Sequence, residues 1–144
     1  MKKKYFKFPR PYVFVPMCAD YLHHGHVNIL QKANKYGNVI VGLMTDKAIA
    51  NYKSSKSFLN FKNRKKIVVS IKYVKRVITL KRLDFMTVAK KYKFDYVLHG
   101  DDWKTGTQAP HRKGLINIMK SWKGKVIDVK YTKNMSSTLI KKKN

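Results

Sequence analysis

YVFVPMCADYLHHGHVNIL, residues 12–30, decides how the rest of the chain is read. The apolar run Tyr12–Met17 reads as a buried strand, and Cys18–Leu22 as the loop that follows it. Val27, Ile29, Leu30 and Ala33 then recur at helical spacing, so HHGH at 23–26 falls where a strand turns into a helix running to about Tyr36. Residues three apart share a helix face, so His23 and His26 can address one spot. That spot lies near the helix N-terminus, where free N–H groups and the macrodipole favour anions. Gly25 lacks a Cβ, which lets a bulky anion come close to the backbone. The stretch predicts a phosphate site with two imidazole donors beside it. A histidine pair at this spacing, taken alone, is more often a surface accident or a metal site, so its surroundings must decide.

Working outward, Gly37 is placed to stop the helix. Asn38–Met44 (NVIVGLM) reads as a second buried strand, and Asp46 as the cap of a short helix through Ala50. Residues 51–59 read as a polar, mobile loop bearing Lys53 and Lys56. A helix at about 60–73 follows, then a strand at Arg76–Leu80, a helix from Asp84 to Tyr92 and a strand at Asp95–His99 that ends in GDDW. After a loop at 104–110 come a helix at His111–Trp122, a strand at Val126–Tyr131 and a short helix at Met135–Ile140. Strands alternating with helices imply a parallel sheet covered on both faces. The expected architecture is α/β: a Rossmann-like single domain spanning 1–144, a five-stranded parallel sheet with helices on both faces, and a basic lead-in at 1–11. Ligands in such folds bind beyond the carboxyl ends of the strands, and HHGH, GDDW and SST each follow a strand there.

Composition narrows the function classes. The 144 residues suit one domain with a genuine core. The single cysteine, Cys18, excludes an internal disulfide and points to a reducing, cytoplasmic setting. No apolar run approaches membrane-spanning length, and the basic start MKKKYFKF lacks the apolar stretch of a signal peptide. Lys and Arg number 33 against 7 acids, a formal charge of +26, and every acid is aspartate. Such a balance suits anionic partners, but the lysines are spread along the chain rather than gathered in one stripe. A basic nucleic-acid-binding protein is therefore the weaker reading. Three of the seven acids, Asp20, Asp101 and Asp102, fall inside motifs, which suggests they serve chemistry.

The segments DYLHHGHVNIL, VGLMTDKAIANYK, NRKKIVVSIKYV, DYVLHGDDWKTG and YTKNMSSTLI stand in the order of the motifs of the cytidylyltransferase-like family, the HxGH nucleotidyltransferases, and the chain resembles that family from Val13 to Ile140. ADYLHHGH, TDKAIANYK and GDDWKTGTQ resemble the phosphonate cytidylyltransferases, which transfer CMP to 2-aminoethylphosphonate or a similar alkylphosphonate. The alternatives are a glycerol-3-phosphate or choline-phosphate cytidylyltransferase and an HxGH adenylyltransferase. The resemblance implies CTP and a small phosphonate or phosphate acceptor as partners, Mg²⁺ bound with CTP, a homodimer, and no nucleic acid.

By position, the resemblance gives His23 and His26 the stabilisation of the α-phosphate and the departing phosphates. It gives Lys53 the α-phosphate or the acceptor anion, with Lys56 as the substitute, and Arg64 the neutralisation of substrate phosphates. Nucleotide contacts are implied for Met17, Cys18, Ala19, Asp20 and Gly25 on the first side. On the other side they are implied for Gly100, Asp101, Asp102 and Trp103 beside the cytidine, and for Ser136, Ser137 and Thr138 around the β- and γ-phosphates. Arg112 and His111 reach the site from the following helix or remain at the surface. Asp101 and Asp102 can also cap a turn, though their company favours function, and Ser136–Thr138 can equally be an ordinary helix start. Cys18 stands where Ser or Thr is usual, Tyr131 where arginine is common, and Asn134 where glycine is. No ligand set for a metal can be assigned from the sequence. The chemistry agrees with such parts. A phosphate or phosphonate oxygen is already ionised at neutral pH, so the reaction needs positioned donors and cations rather than a general base.

Overall fold

The computed structural model describes residues 2–130. Its sheet has five parallel strands: β1 (Tyr12–Met17), β2 (Asn38–Met44), β3 (Val74–Leu80), β4 (Tyr96–Gly100) and β5 (Lys125–Val129). They lie in the order β3-β2-β1-β4-β5. The helices are α1 (His24–Asn34), α2 (Asp46–Lys53), α3 (Phe61–Val69), α4 (Phe85–Tyr92) and α5 (Ala109–Met119). Short 3-10 turns occupy Asp101–Lys104, Gly106–Gln108 and Lys120–Trp122.

The period of two along a strand divides the core between the faces. Tyr12, Phe14 and Ile40 pack against Ala48 and Ile49 of α2, Phe85 and Ala89 of α4, and Leu115 and Met119 of α5. Val13, Val15, Val39 and Val41 point the other way, toward Leu30 and Ala33 of α1 and Val68 of α3. From β1 the chain moves through α1 to β2 on one side. It later crosses through α4 to β4 on the other. The strand-order reversal between β1 and β4 is the topological switch point, and its carboxyl edge is where open α/β sheets bind ligands.

The expected sheet and two-sided helix cover are present, with shifted boundaries. The third strand starts at Val74 rather than Arg76, and the fourth covers Tyr96–Gly100 rather than Asp95–His99. The helix placed at 60–73 ends at Val69, and the one placed at His111 starts at Ala109, with Pro110 in its first turn, where its missing N–H costs nothing. Asp46 does not cap α2; Thr45 does, its Oγ1 accepting from Ala48 N at 3.1 Å. That helix runs on to Lys53, so the polar loop is shorter than 51–59.

The basic lead-in is docked at the opposite edge of the sheet from the site. Asp95 accepts hydrogen bonds from Lys2, from Arg10 Nη1 at 2.9 Å and from Tyr12 N at 2.8 Å. Phe6 and Phe8 stack on each other and meet the Tyr12 ring edge-on. The last helix placed at Met135–Ile140, with Ser136, Ser137 and Thr138, lies outside the described residues, as do Tyr131 and Asn134.

Candidate active site at the strand-order reversal

The HHGH turn is built by its own histidines. His23 is the N-cap of α1, and its Nδ1 accepts from Gly25 N at 3.0 Å. His26, at N3, returns the bond: its Nδ1 accepts from His23 N at 3.1 Å. This is a capping box in which imidazoles replace the usual hydroxyl and carboxylate. An Nδ1 that accepts carries no proton, so both neutral rings hold theirs on Nε2. The rings lie 4.2 Å apart, centroid to centroid.

Electrostatics keeps them neutral. Burial pushes the His26 pKa down to about 4, helped by His23 and by the Lys53 ammonium. Burial, then His24, lowers His23 as well. At neutral pH the turn therefore presents two uncharged Nε2–H donors, with the Lys53 cation close enough to be felt by His26. The Gly25 N–H, expected to face an anion, is consumed by the cap. The imidazoles supply the donors instead.

The loop before the histidines is held in an unusual shape. Ala19 and Tyr21 have φ of 54° and 47°, the left-handed region that side chains disfavour. Between them Asp20 is buried, 3% exposed, and its carboxylate accepts from Phe58 N at 2.9 Å and Leu59 N at 3.1 Å. Asp20 thus ties the HHGH loop to the segment after α2. The loop expected to be mobile is anchored at its far end, and Lys53 stands on the last turn of a helix rather than on the loop.

Arg64 departs most from expectation. It is fully buried, and its guanidinium donates to Leu59 O at 3.0 Å, Cys18 O at 2.7 Å, Met44 O at 2.7 Å and Asp46 Oδ1 at 2.7 Å. These acceptors sit at the ends of β1 and β2, at the start of α2 and before α3. The residue clamps the site's walls, and in this arrangement its charge is spent on protein oxygens rather than on a substrate phosphate. Burial alone would raise the Asp46 pKa, but hydrogen bonds from Arg64, Phe61 and Ser57 outweigh it and hold the carboxyl below its usual value. Met17, at the end of β1, is half-buried and packs toward the α1 side. The Cys18 thiol, in place of a hydroxyl, lies 3.5 Å from Met44 Sδ.

Across the switch point, Gly100 is buried and the Trp103 end of the GDDW turn is closed inward. Trp103 is 1% exposed; its indole lies flat on the His99 ring at 4.3 Å, and its Nε1 donates to Asp128 Oδ1 at 2.6 Å. Arg112 grips the same carboxylate with two bonds, Nε to Oδ1 at 3.0 Å and Nη2 to Oδ2 at 2.9 Å. The Arg112 fork is the first reason the Asp128 pKa is depressed. Trp103 and Arg112, expected at the nucleotide, are committed to Asp128. Asp101 is half-buried and Asp102 exposed, the latter 3.8 Å from His99 Nδ1. His111 tilts against Phe85.

Sequence reasoning missed Asp128, Tyr52 and Gln108. Asp128 had a signal: it is the lone acid inside the apolar run of the fifth strand, in a chain with seven acids. Tyr52 and Gln108, joined by a 2.6 Å hydrogen bond, lie inside the runs TDKAIANYK and GDDWKTGTQ, but nothing in those runs singles them out, since tyrosine and glutamine in polar segments are ordinary.

Known proteins resemble this chain along most of its length. It is 32% identical to the glycerol-3-phosphate cytidylyltransferase of Staphylococcus aureus over 85% of this chain and 86% of that protein. It is 37% identical to the ethanolamine-phosphate cytidylyltransferase of Mus musculus over 59% of this chain, but that match spans only 21% of the mouse protein. Among solved structures, a lipopolysaccharide core biosynthesis protein from Thermoplasma volcanium superposes with a TM-score of 0.68 at 22% identity, covering 84% of this chain and 98% of that one, a likeness of fold. A family model described as cytidylyltransferase-like matches residues 14–143, and this chain belongs to that family.

Proposed function

We propose that the chain transfers CMP from CTP to a small phosphonate or phosphate monoester and releases pyrophosphate. One observation carries this reading: His23 and His26 are locked as neutral Nε2–H donors at the switch point, with the Lys53 charge beside them. An anionic acceptor attacks the α-phosphate, and charge builds on the bridging and equatorial oxygens as pyrophosphate leaves. Neutral donors held in a protein-lined corner stabilise that charge without first reorganising. Lys53 steadies the phosphates from the α2 side. Arg64 and Asp20 act through others, holding the walls that set the distance between acceptor and nucleotide.

Among the described residues no group of three or more histidine, cysteine or acid side chains could hold a metal. Asp20, Asp46, Asp95 and Asp128 are engaged within the fold. That donor set fits Mg²⁺ carried in on the triphosphate, which takes few protein ligands, better than a protein cage. When bound it would neutralise phosphate charge.

The acceptor we favour is 2-aminoethylphosphonate or a similar alkylphosphonate, supported by the run GDDWKTGTQ and by the half-buried Tyr52 that its Gln108 meets. A second reading, glycerol 3-phosphate, is supported by the 33% identity to the Bacillus spizizenii enzyme of that name across 88% of its length. A homodimer belongs to the proposal; Ile67 and Val69, exposed on α3, are apolar surface available for it. No described helix is long and apolar enough to cross a membrane.

The test is a pyrophosphate-release screen of CTP, ATP, GTP and UTP against a panel of phosphonates and phosphate esters. CTP with an aminoalkyl phosphonate should give the fastest release. Release with ATP alone, whatever the acceptor, overturns the cytidylyl reading.

A further inference from the structure

Gln108 closes the 3-10 turn Gly106–Gln108, which follows β4, while Tyr52 lies on α2, which follows β2. Strand β1 runs between those two strands. The 2.6 Å bond from Gln108 Nε2 to the Tyr52 hydroxyl therefore spans the switch point. Tyr52 packs in the same layer as Cys18 at the end of β1, and it precedes Lys53, whose charge reaches His26. The pair borders the candidate site on the side away from the histidine turn.

Its second amide atom is the unusual one. Gln108 Oε1 is buried and has no hydrogen-bond partner, alone in this among the side-chain polar atoms of the described residues. A buried carbonyl oxygen without a donor is costly, and native structures keep few of them unless a ligand or water completes the site. The fold itself gains nothing from this oxygen. The Tyr52 bond uses only the amide N–H.

We propose that Gln108 is a specificity-determining residue: its Oε1 accepts a hydrogen bond from an N–H or O–H donor on the tail of the acceptor substrate, beside the Tyr52 ring. The inference rests on the CMP-transfer reading above and adds the tail chemistry to it. An ammonium is the better of the two donors, because it gains the amide oxygen and an aromatic face together. Three of the carboxylates near the site are already engaged: Asp20 is turned toward the Phe58 and Leu59 amides, Asp46 toward Arg64, and Asp128 toward Arg112 and Trp103. Oε1 is buried in this structure, so the acceptor tail reaches it only when the Gln108 side chain turns toward the site.

Three acceptors of equal charge at the phosphonate separate the possibilities: 2-aminoethyl-, 2-hydroxyethyl- and ethylphosphonate. Wild type with CTP should rank them in that order by kcat/KM. Gln108→Leu should raise KM for the amino acceptor about tenfold or more, as expected for a site that loses its polar partner. It should leave KM for ethylphosphonate and for CTP within about twofold. Gln108→Glu, which keeps an acceptor oxygen, should retain the amino preference, and thermal melts check that both variants fold. Calorimetric binding of the same three phosphonates in the presence of CTP reads the ranking without turnover, so a chain that releases no pyrophosphate yet ranks the ligands this way loses the CMP-transfer reading and not this one. Equal affinity for all three in wild type, or an equal effect of Gln108→Leu on all three, overturns the role of Gln108.

Discussion

The two sides of the switch point use similar polar material in opposite ways. On the β1 side, His23 and His26 satisfy the helix start with Nδ1 and leave Nε2–H free to donate. On the β4 side, Trp103, Arg112 and Asp128 satisfy one another. The first arrangement offers donors to a ligand; the second fixes the shape of the wall a ligand meets. Motif residues thus divide into groups that touch and groups that hold, and residue type alone does not say which. Arg64 and Lys53 repeat the contrast on one side: the buried guanidinium holds, and the exposed ammonium at the end of α2 remains available.

If Arg64 is a clamp, removing it should damage the fold before it damages chemistry. Arg64→Met removes a donor from the Cys18, Met44 and Leu59 carbonyls and leaves the Asp46 carboxylate with only its Ser57 and Phe61 bonds. Breaking a buried charged network of this kind is expected to cost about 3–5 kcal/mol. Chemical denaturation checks it; a variant of near-native stability that is inactive would return Arg64 to the phosphates and erase the contrast with Lys53.

The histidine side is expected to behave the other way. Asn at position 26 can place an oxygen near where Nδ1 accepts, keeping the cap, but it cannot reach where Nε2 donates. His26→Asn should therefore lose about a hundredfold in turnover, the scale of one positioned donor. It should cost well under the ~1 kcal/mol typical of a lost cap. His26→Ala should lose both. Steady-state rates set against melting curves decide the matter, and equal stability losses in the two variants would mean that the cap is not what His26 contributes.

How much of this could be read from the chain depends on the range of the forces involved. Strand and helix identities follow from local apolar periodicity, so NVIVGLM and YVFVPM were readable as strands and their order implied the sheet. The nearness of His23 and His26 was readable because they lie three residues apart, but the capping box they form, with Gly25 N consumed in it, was not. Arg64 and Trp103 were readable as motif residues but not in their engagements, because their acceptors, Cys18, Met44 and Asp128, come from 20 to 46 positions away. Lys53 reads as a loop residue because NYK carries no apolar residue on the core side except Tyr52, whereas tertiary contact of Ala48 and Ile49 extends the helix past the local signal.

A smaller effect tests the β4 side. Asp128→Asn keeps an acceptor for the Trp103 indole but loses the charge that Arg112 grips. Stability should fall by about 2 kcal/mol, the scale of hydrogen bonds to a charged group. Since the trio is walled off rather than reacting, kcat should change by less than about threefold, with the effect confined to KM for the nucleotide. A large fall in kcat at unchanged KM would place Asp128 among the reacting groups and make the two sides alike.

The smallest expected effect is on pH dependence, and its sign follows from the cap. His26 titrates at about 4 when folded against 6.5 when unfolded, because burial disfavours its charged form. The unfolded chain therefore binds the proton first on acidification. The contribution is fully present above pH 6.5 and is lost as the pH falls from there through about 4. His23 and His99 are lowered as well and act in the same direction. The depressed carboxyls of Asp46, Asp95 and Asp128 begin to weaken the fold only below their ordinary value of 3.8, so the window above about pH 4 belongs to the histidines. His26→Asn removes one of these titrations while keeping the cap, so its stability should fall less steeply over that window. Relative to the variant, wild type should lose on the order of 1 kcal/mol between pH 7 and pH 5, enough to reverse the small gap expected at neutral pH. Urea titrations at half-unit steps of pH measure it. Parallel curves would mean that His26 is charged as readily in the folded chain as in the unfolded one, and the site would then offer a cation, rather than a neutral donor, to the departing phosphates.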